Sequence, residues 1–276
     1  MSQKFIINFI LVGLILFAGG CKFRKIQKNP DWKVKYEAAL DYYNNKDYYH
    51  ANVLFEEIIP LIRGTEEAEL ANYYYAYTYY YQKQYLLSAH YFKSFYEIYG
   101  RSEFAMDAQY MRAYSLYLQS PESSLDQTST YEAMTALQNF INKYPYVELA
   151  EKADVLIKEL RVKLETKAFD KVVLFFNLRR TRYTAGGYQA ALTTADNFHN
   201  EYPDSEYNPE VLYMEIVTAH EYAENSFRIR QKERFEHTVE LYEKLVDNYP
   251  DSKFIKQAEK FYEDSIEQLS IFADQN

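Results

Sequence analysis

Five stretches of the chain share one spacing of apolar positions. Their last members are Ile58, Phe95, Phe140, Phe198 and Leu245, and three positions earlier stand Phe55, Phe92, Leu137, Ala195 and Tyr242. Seven earlier come Ala51, Ser88, Ala133, Ala191 and Thr238, and ten earlier Tyr48, Tyr85, Thr130, Tyr188 and Phe235. Steps of 3, 4 and 3 put all four positions on one helical face, with a small residue where a partner helix comes close. Each stretch predicts one amphipathic helix. Five residues past the last member come Arg63, Gly100, Pro145, Pro203 and Pro250, so three of the helices stop at a Tyr-Pro step, where proline cannot continue the ladder. Asp204-Ser205 and Asp251-Ser252 then supply side-chain oxygens for the start of the next helix, as Thr65 and Ser102 do earlier.

The intervals between the last members are 37, 45, 58 and 47 residues. The second interval exceeds the first because of a Ser-, Pro- and Asp-containing insertion, Gln119 to Ser129, which falls within a helix pair. The third is long because one apolar stripe, Leu149, Ala153, Leu156, Leu160, Leu164, Ala168, Val172 and Phe176, runs from Glu148 to near Arg180 and predicts a single helix closed by Gly186-Gly187. A last amphipathic segment, Ser252 to Ile271, turns Ile255, Ala258, Tyr262, Ile266 and Leu269 inward and its charges outward, as a terminal cap requires.

The helices preceding the first three of these carry a second register. Ala39, Ala76 and Ala113 are spaced by 37 residues, and aligning them aligns tyrosines on both sides. Positions three before, one after and four after these alanines are Tyr36, Leu40 and Tyr43; Tyr73, Tyr77 and Tyr80; Tyr110, Tyr114 and Tyr117. Eight of the nine are tyrosine, and their spacing makes one helical face rotated away from the packing face. A fixed period of this length means stacked helix pairs that cannot bury their faces alone. Tyrosine gives large contact area at low entropic cost, so this face predicts a groove for an extended or partly folded peptide, with Arg112 beside it to meet a carboxylate. The same tyrosines would equally serve as ordinary filling in a chain with 31 of them.

Composition narrows the partners. A net charge of −9 argues against a phosphate backbone, so nucleic acid is not expected. Scattered histidines and adjacent rather than facing carboxylates argue against a catalytic centre. His220-Glu221 lacks the second histidine of a zinc-protease helix, and no nucleophile elbow or phosphate loop is present, so neither enzyme activity, metal nor cofactor is expected. Arg179, Arg180 and Arg182 suit a helix C-terminus or a partner contact.

Residues 1–20 read as a signal peptide: Lys4, an apolar run from Phe5 to Phe17, then Ala18-Gly19-Gly20. Cys21, the sole cysteine, excludes an intrachain disulfide, and its place after small residues resembles a bacterial lipobox, whose cysteine is lipidated. Lys22, Arg24, Lys25 and Lys28 make residues 21–29 a basic tether suited to anionic headgroups, ahead of a repeat domain over 30–276.

Ala39, Tyr42, Tyr48, Ala51 and Ala76, Tyr79, Tyr85, Ser88 are similar to the tetratricopeptide repeat. The implied fold is all-α, a right-handed superhelical array of about five tetratricopeptide-like helix pairs with a C-terminal capping helix. With the lipobox, Tyr110-Met111-Arg112-Ala113, Leu125-Asp126-Gln127-Thr128, Asn142-Lys143-Tyr144-Pro145 and Lys158-Glu159-Leu160-Arg161 resemble the BamD family of outer-membrane assembly lipoproteins. That resemblance implies a lipid anchor at Cys21 in the outer membrane of a Gram-negative bacterium, facing the periplasm. It further implies binding of the POTRA region of a BamA-type barrel protein through the C-terminal repeats. The N-terminal repeats would receive unfolded outer-membrane clients. A SusD-like glycan-binding lipoprotein is the rival, but such proteins are usually longer and carry several tryptophans, where this chain has one, Trp32. A generic periplasmic repeat scaffold is the other.

Overall fold

In the computed structural model, which describes residues 22–181 and 186–273, the repeated frame is buried as its pattern predicts except at Tyr48, Tyr85, Tyr188 and Tyr242, which are half-buried. Ile58, Phe95, Phe140, Phe198 and Leu245 are all at most 2% exposed, as are Phe55, Phe92, Leu137 and Ala195. Among the described residues every regular element is a helix: α1 (22–27), α2 (Trp32–Asn44), α3 (Tyr48–Ile58), α4 (Glu67–Tyr81), α5 (Tyr85–Ile98), α6 (Ala105–Gln119), α7 (Thr128–Lys143), α8 (Glu148–Leu178), α9 (Gly187–Glu201), α10 (Asn208–Glu224), α11 (Arg228–Asn248) and α12 (Ile255–Ala273). The chain forms two compact units, one ending at Leu160 and one beginning at Arg161.

In the first unit α2 with α3, α4 with α5 and α6 with α7 are the pairs. Their close approach rests on small residues, Ala39, Ala76 and Ala113 on the first helices and Ala51, Ser88 and Ala133 on the second, all fully buried. Burial of such faces, at roughly 25 cal/mol per Å² of apolar surface, is the main driving force for stacking. α1 extends the first pair. Phe23 is 9% exposed and packs on Tyr42 and His50, while Gln27 donates to Glu57, so the basic segment is a docked helix whose Lys22, Arg24 and Lys25, with Lys28 just past it, face solvent. Cys21 lies outside the described residues.

Helix ends follow two repeated devices. Tyr99, Tyr144, Tyr202 and Tyr249 cap α5, α7, α9 and α11, each returning its N–H to the carbonyl of the frame's last residue. Ser102, Ser205 and Ser252 then accept the N–H two residues on at 3.0–3.2 Å, making a turn before the helix rather than its N-cap. The aromatic residue so presented, Phe104, Tyr207 or Phe254, stacks on the first helix of the preceding pair: on Tyr73, Phe169 and Tyr213 at 4.6, 4.2 and 5.4 Å. This Ser-x-aromatic staple ties one pair to the next.

Inside the first two pairs the turn places Lys46 and Lys83 at φ 63° and 60°. A side chain in that left-handed region costs about 1 kcal/mol, which glycine avoids. Lys83→Gly is therefore expected to raise the unfolding free energy by about 0.5–1 kcal/mol in a denaturant titration, with an unchanged slope.

In the second unit α10 packs against α9, α11 and α12. It is buried nearly all round, which brings Glu215, His220 and Glu221 inside. Gly186, at φ 91°, starts α9. Arg182 lies outside the described residues.

Candidate functional site

The helical period puts Tyr36 and Tyr43 on α2, Tyr73, Tyr77 and Tyr80 on α4, and Tyr110, Tyr114 and Tyr117 on α6, and stacking of the pairs brings their rings together. Tyr43 lies 6.2 Å from Tyr81, Tyr81 stacks on Tyr77 at 5.9 Å, Tyr77 meets Tyr80 at 6.2 Å, and Tyr80 reaches Tyr114 at 6.2 Å. Tyr114 stacks between Tyr110 and Tyr117 at 5.9 and 5.8 Å, with planes 8° and 10° apart. The rings therefore form a continuous strip across three helix pairs. Tyr81, outside the sequence register, links the first pair to the second, as does Tyr74, 4.5 Å from Tyr43. Tyr81 is 45% exposed and also stacks on Tyr48 at 4.3 Å.

The strip is uneven in depth. Tyr43, Tyr77, Tyr80, Tyr110, Tyr114 and Tyr117 are half-buried and keep a face toward solvent, as does Tyr36, which packs on the core of the first pair. Tyr73 is only 9% exposed, enclosed by Phe92, Phe95 and Phe104. The hydroxyls of Tyr73 and Tyr77 both donate to Asp107 Oδ2 at 2.6 Å, tying α4 to α6. Burial and then this carboxylate push both phenols well above their ordinary value, so both remain neutral donors. At the far end Tyr117 donates to Glu159 at 2.5 Å, and that hydrogen bond, followed by burial, raises it to about 12. The strip is thus apolar in its ring faces and acceptor-rich along one edge.

Arg112 is not part of it. Two residues from Tyr110 on a helix is the wrong side, and the guanidinium instead lines a cavity of about 550 Å³ between α5 and α7, beside Leu86, Lys93, Leu116 and Tyr131.

The second unit holds a set of buried polar pairs that local patterns do not announce. Glu221 accepts from Arg179 Nε and Nη2 at 2.9 Å each and from Arg180 Nε at 2.7 Å, with Arg180 Nη2 also on its carboxylate. His199 sits between Asn208 at 2.7 Å and Glu215 at 2.9 Å. Their only sequence signal is acidic residues inside the apolar run of α10.

The family model of YfiO, described as an outer membrane lipoprotein, matches residues 29–186 and 165–270. No curated protein matches the chain.

Proposed function

Because this chain belongs to the YfiO family of outer membrane lipoproteins, we propose that it is the lipid-anchored repeat subunit of the machinery that assembles β-barrel proteins into the outer membrane. In this reading it binds the POTRA region of a BamA-type barrel protein and receives unfolded outer-membrane clients on the periplasmic side. The observation that carries it is the family match, which extends over both units from residue 29 to residue 270. Lipidation of Cys21 would place the docked α1 and Lys28 just past it, with four outward cations between them, beside anionic headgroups.

The tyrosine strip is the client surface in this proposal. Barrel strands alternate apolar and polar residues and carry aromatic girdles, so an extended strand offers a ring or aliphatic side chain at every second position. The exposed faces of Tyr80, Tyr81 and Tyr114 suit such a partner, because tyrosine contacts lose little rotamer freedom on binding.

Two measurements test the reading. The tagged lipoprotein is isolated from solubilised outer membranes and its companions are identified by mass spectrometry. A stoichiometric barrel protein with POTRA domains is expected, and a nutrient-transporter barrel in its place would overturn the assignment. The triple variant Tyr80→Ser, Tyr81→Ser, Tyr114→Ser should bind a peptide from the C-terminal strand of a barrel protein at least about tenfold more weakly. Unchanged peptide affinity with an intact helical spectrum would remove the strip from the proposal while leaving the POTRA partner untouched.

A further inference from the structure

We propose that His220 and Glu224 of α10 and Asp264 of α12 form a binding site for a divalent transition-metal ion of the zinc type, one that clamps the last helix onto the unit. His220 and Glu224 are four residues apart on one face of α10, and their ligand atoms and that of Asp264 lie within 4.8 Å of one another. His220 Nε2 is 3.1 Å from Asp264 Oδ2 and 3.8 Å from Glu224 Oε2.

Proton accounting around the ring gives this cluster its direction. Ser265 Oγ donates its only proton to the carbonyl of Phe261 at 2.7 Å, so toward His220 Nδ1, 3.1 Å away, it presents a lone pair. That arrangement favours the tautomer with its hydrogen on Nδ1. Nε2 faces two carboxylate oxygens, and in that tautomer it would offer its lone pair to an ion held between them. Three electron-rich atoms converge on one point, and neither Asp264 nor Glu224 has another ion-pair partner among the described residues. His220 is itself 5% exposed, held between the rings of Phe235 and Phe261 at 5.7 and 5.3 Å, so the imidazole cannot swing out to water. A divalent cation at that point would pair with all three atoms at once.

Geometry and ligand type select the ion. With bonds of 2.0–2.1 Å, ligand atoms of a tetrahedral zinc site stand roughly 3.3 Å apart, and the two Nε2 to oxygen distances bracket that spacing. Glu224 and Asp264 side chains are 53% and 43% exposed, free to close the remaining gap and to leave a fourth position for water. One imidazole with two carboxylates suits zinc better than calcium or magnesium, which prefer oxygen alone, and better than thiolate-seeking copper(I). Ser265 plays the outer part usual for such sites, fixing the tautomer of the ligating ring.

The test uses the untagged, metal-free chain. Calorimetric titration with Zn²⁺ is expected to show one ion bound per chain at micromolar affinity. Co²⁺ should give the visible absorption of a low-symmetry site, and saturating Zn²⁺ should raise the thermal midpoint by several degrees, reversed by a chelator. Since His220→Ala removes a buried ring and endangers folding, the exposed ligands are the informative ones. Asp264→Asn and Glu224→Gln should each weaken Zn²⁺ at least about tenfold, with the metal-free midpoint barely moved. An absence of binding, as for an imidazolium simply paired with the carboxylates, would overturn the site. So would Zn²⁺ affinity unchanged in the double variant, which would put the ion at another histidine.

Discussion

Replacing Glu221 by alanine is expected to destabilise the second unit by roughly 3–5 kcal/mol, the cost of leaving a buried charge without its counter-ion. The Arg179 side chain is 12% exposed and Glu221 7%, and the guanidinium, stacked on Phe176 at 3.8 Å and donating to its carbonyl, is largely shielded from water. Arg180 is 66% exposed and can solvate itself. The thermal midpoint of the second unit should therefore fall by about 10 °C or more in Glu221→Ala. Arg180→Ala should cost under about 1 kcal/mol. The double variant Arg179→Met, Glu221→Met should recover most of the loss, because an apolar pair of similar volume has no charge to desolvate. Equal costs for Glu221→Ala and the double variant would show that the hydrogen-bonded ion pair itself, not an orphaned charge or lost volume, carries the stability.

The same pair fixes a pH dependence. Burial alone would push the Glu221 carboxyl up, but the hydrogen bonds from Arg180 and Arg179 outweigh it and hold the group below the usual carboxylate range. A carboxyl with a depressed folded value stabilises the fold fully above its unfolded value of about 4.3, and loses that contribution as pH falls through the folded one. The gap in unfolding free energy between the native chain and Glu221→Ala should thus be complete at neutral pH and shrink below about pH 4. A gap independent of pH would mean that Glu221 does not act through its charge.

What the sequence could reveal depended on how far apart the interacting residues lie. The frame of α7, Thr130, Ala133, Leu137 and Phe140, is fully buried because a 3-4-3 spacing fixes a face whatever packs on it. The long helix closes at Leu178, near the expected Arg180, because an unbroken apolar stripe without glycine or proline has no reason to stop. Spacing says nothing of depth, however. Tyr73 and Tyr77 share a face, yet Tyr73 is sealed because Phe104 of the next pair stacks over it. In the second unit the partners of the buried polar groups lie 16, 42 and 45 residues away, as in His199 with Glu215, Arg179 with Glu221 and His220 with Ser265. No local period encodes such pairs, and a histidine followed by a glutamate on α10 reads as surface until the packing of α12 is known.

Asp107→Ala is expected to cost the first unit about 2–4 kcal/mol, and its consequences separate architecture from binding within the tyrosine strip. One carboxylate oxygen accepts from two phenols, each a charge-assisted bond, and the negative charge sits in the first turn of α6, where the helix dipole favours it. Removal leaves two hydroxyls without their acceptor, one of them on the enclosed Tyr73. Tyr73→Phe alone should cost about 1 kcal/mol, and Asp107→Ala combined with Tyr73→Phe and Tyr77→Phe should be more stable than Asp107→Ala, since no orphaned hydroxyl remains. The thermal midpoint reads all three. Peptide affinity of the rescued triple variant then decides the role of this corner. Affinity equal to that of the native chain assigns Tyr73, Tyr77 and Asp107 to holding α4 against α6, and leaves recognition to the exposed faces of Tyr80, Tyr81 and Tyr114. Lost affinity in a stable triple variant makes the hydroxyls and their carboxylate part of the contact, so that the client would be held by hydrogen bonds at one edge of the strip and by ring faces along the other.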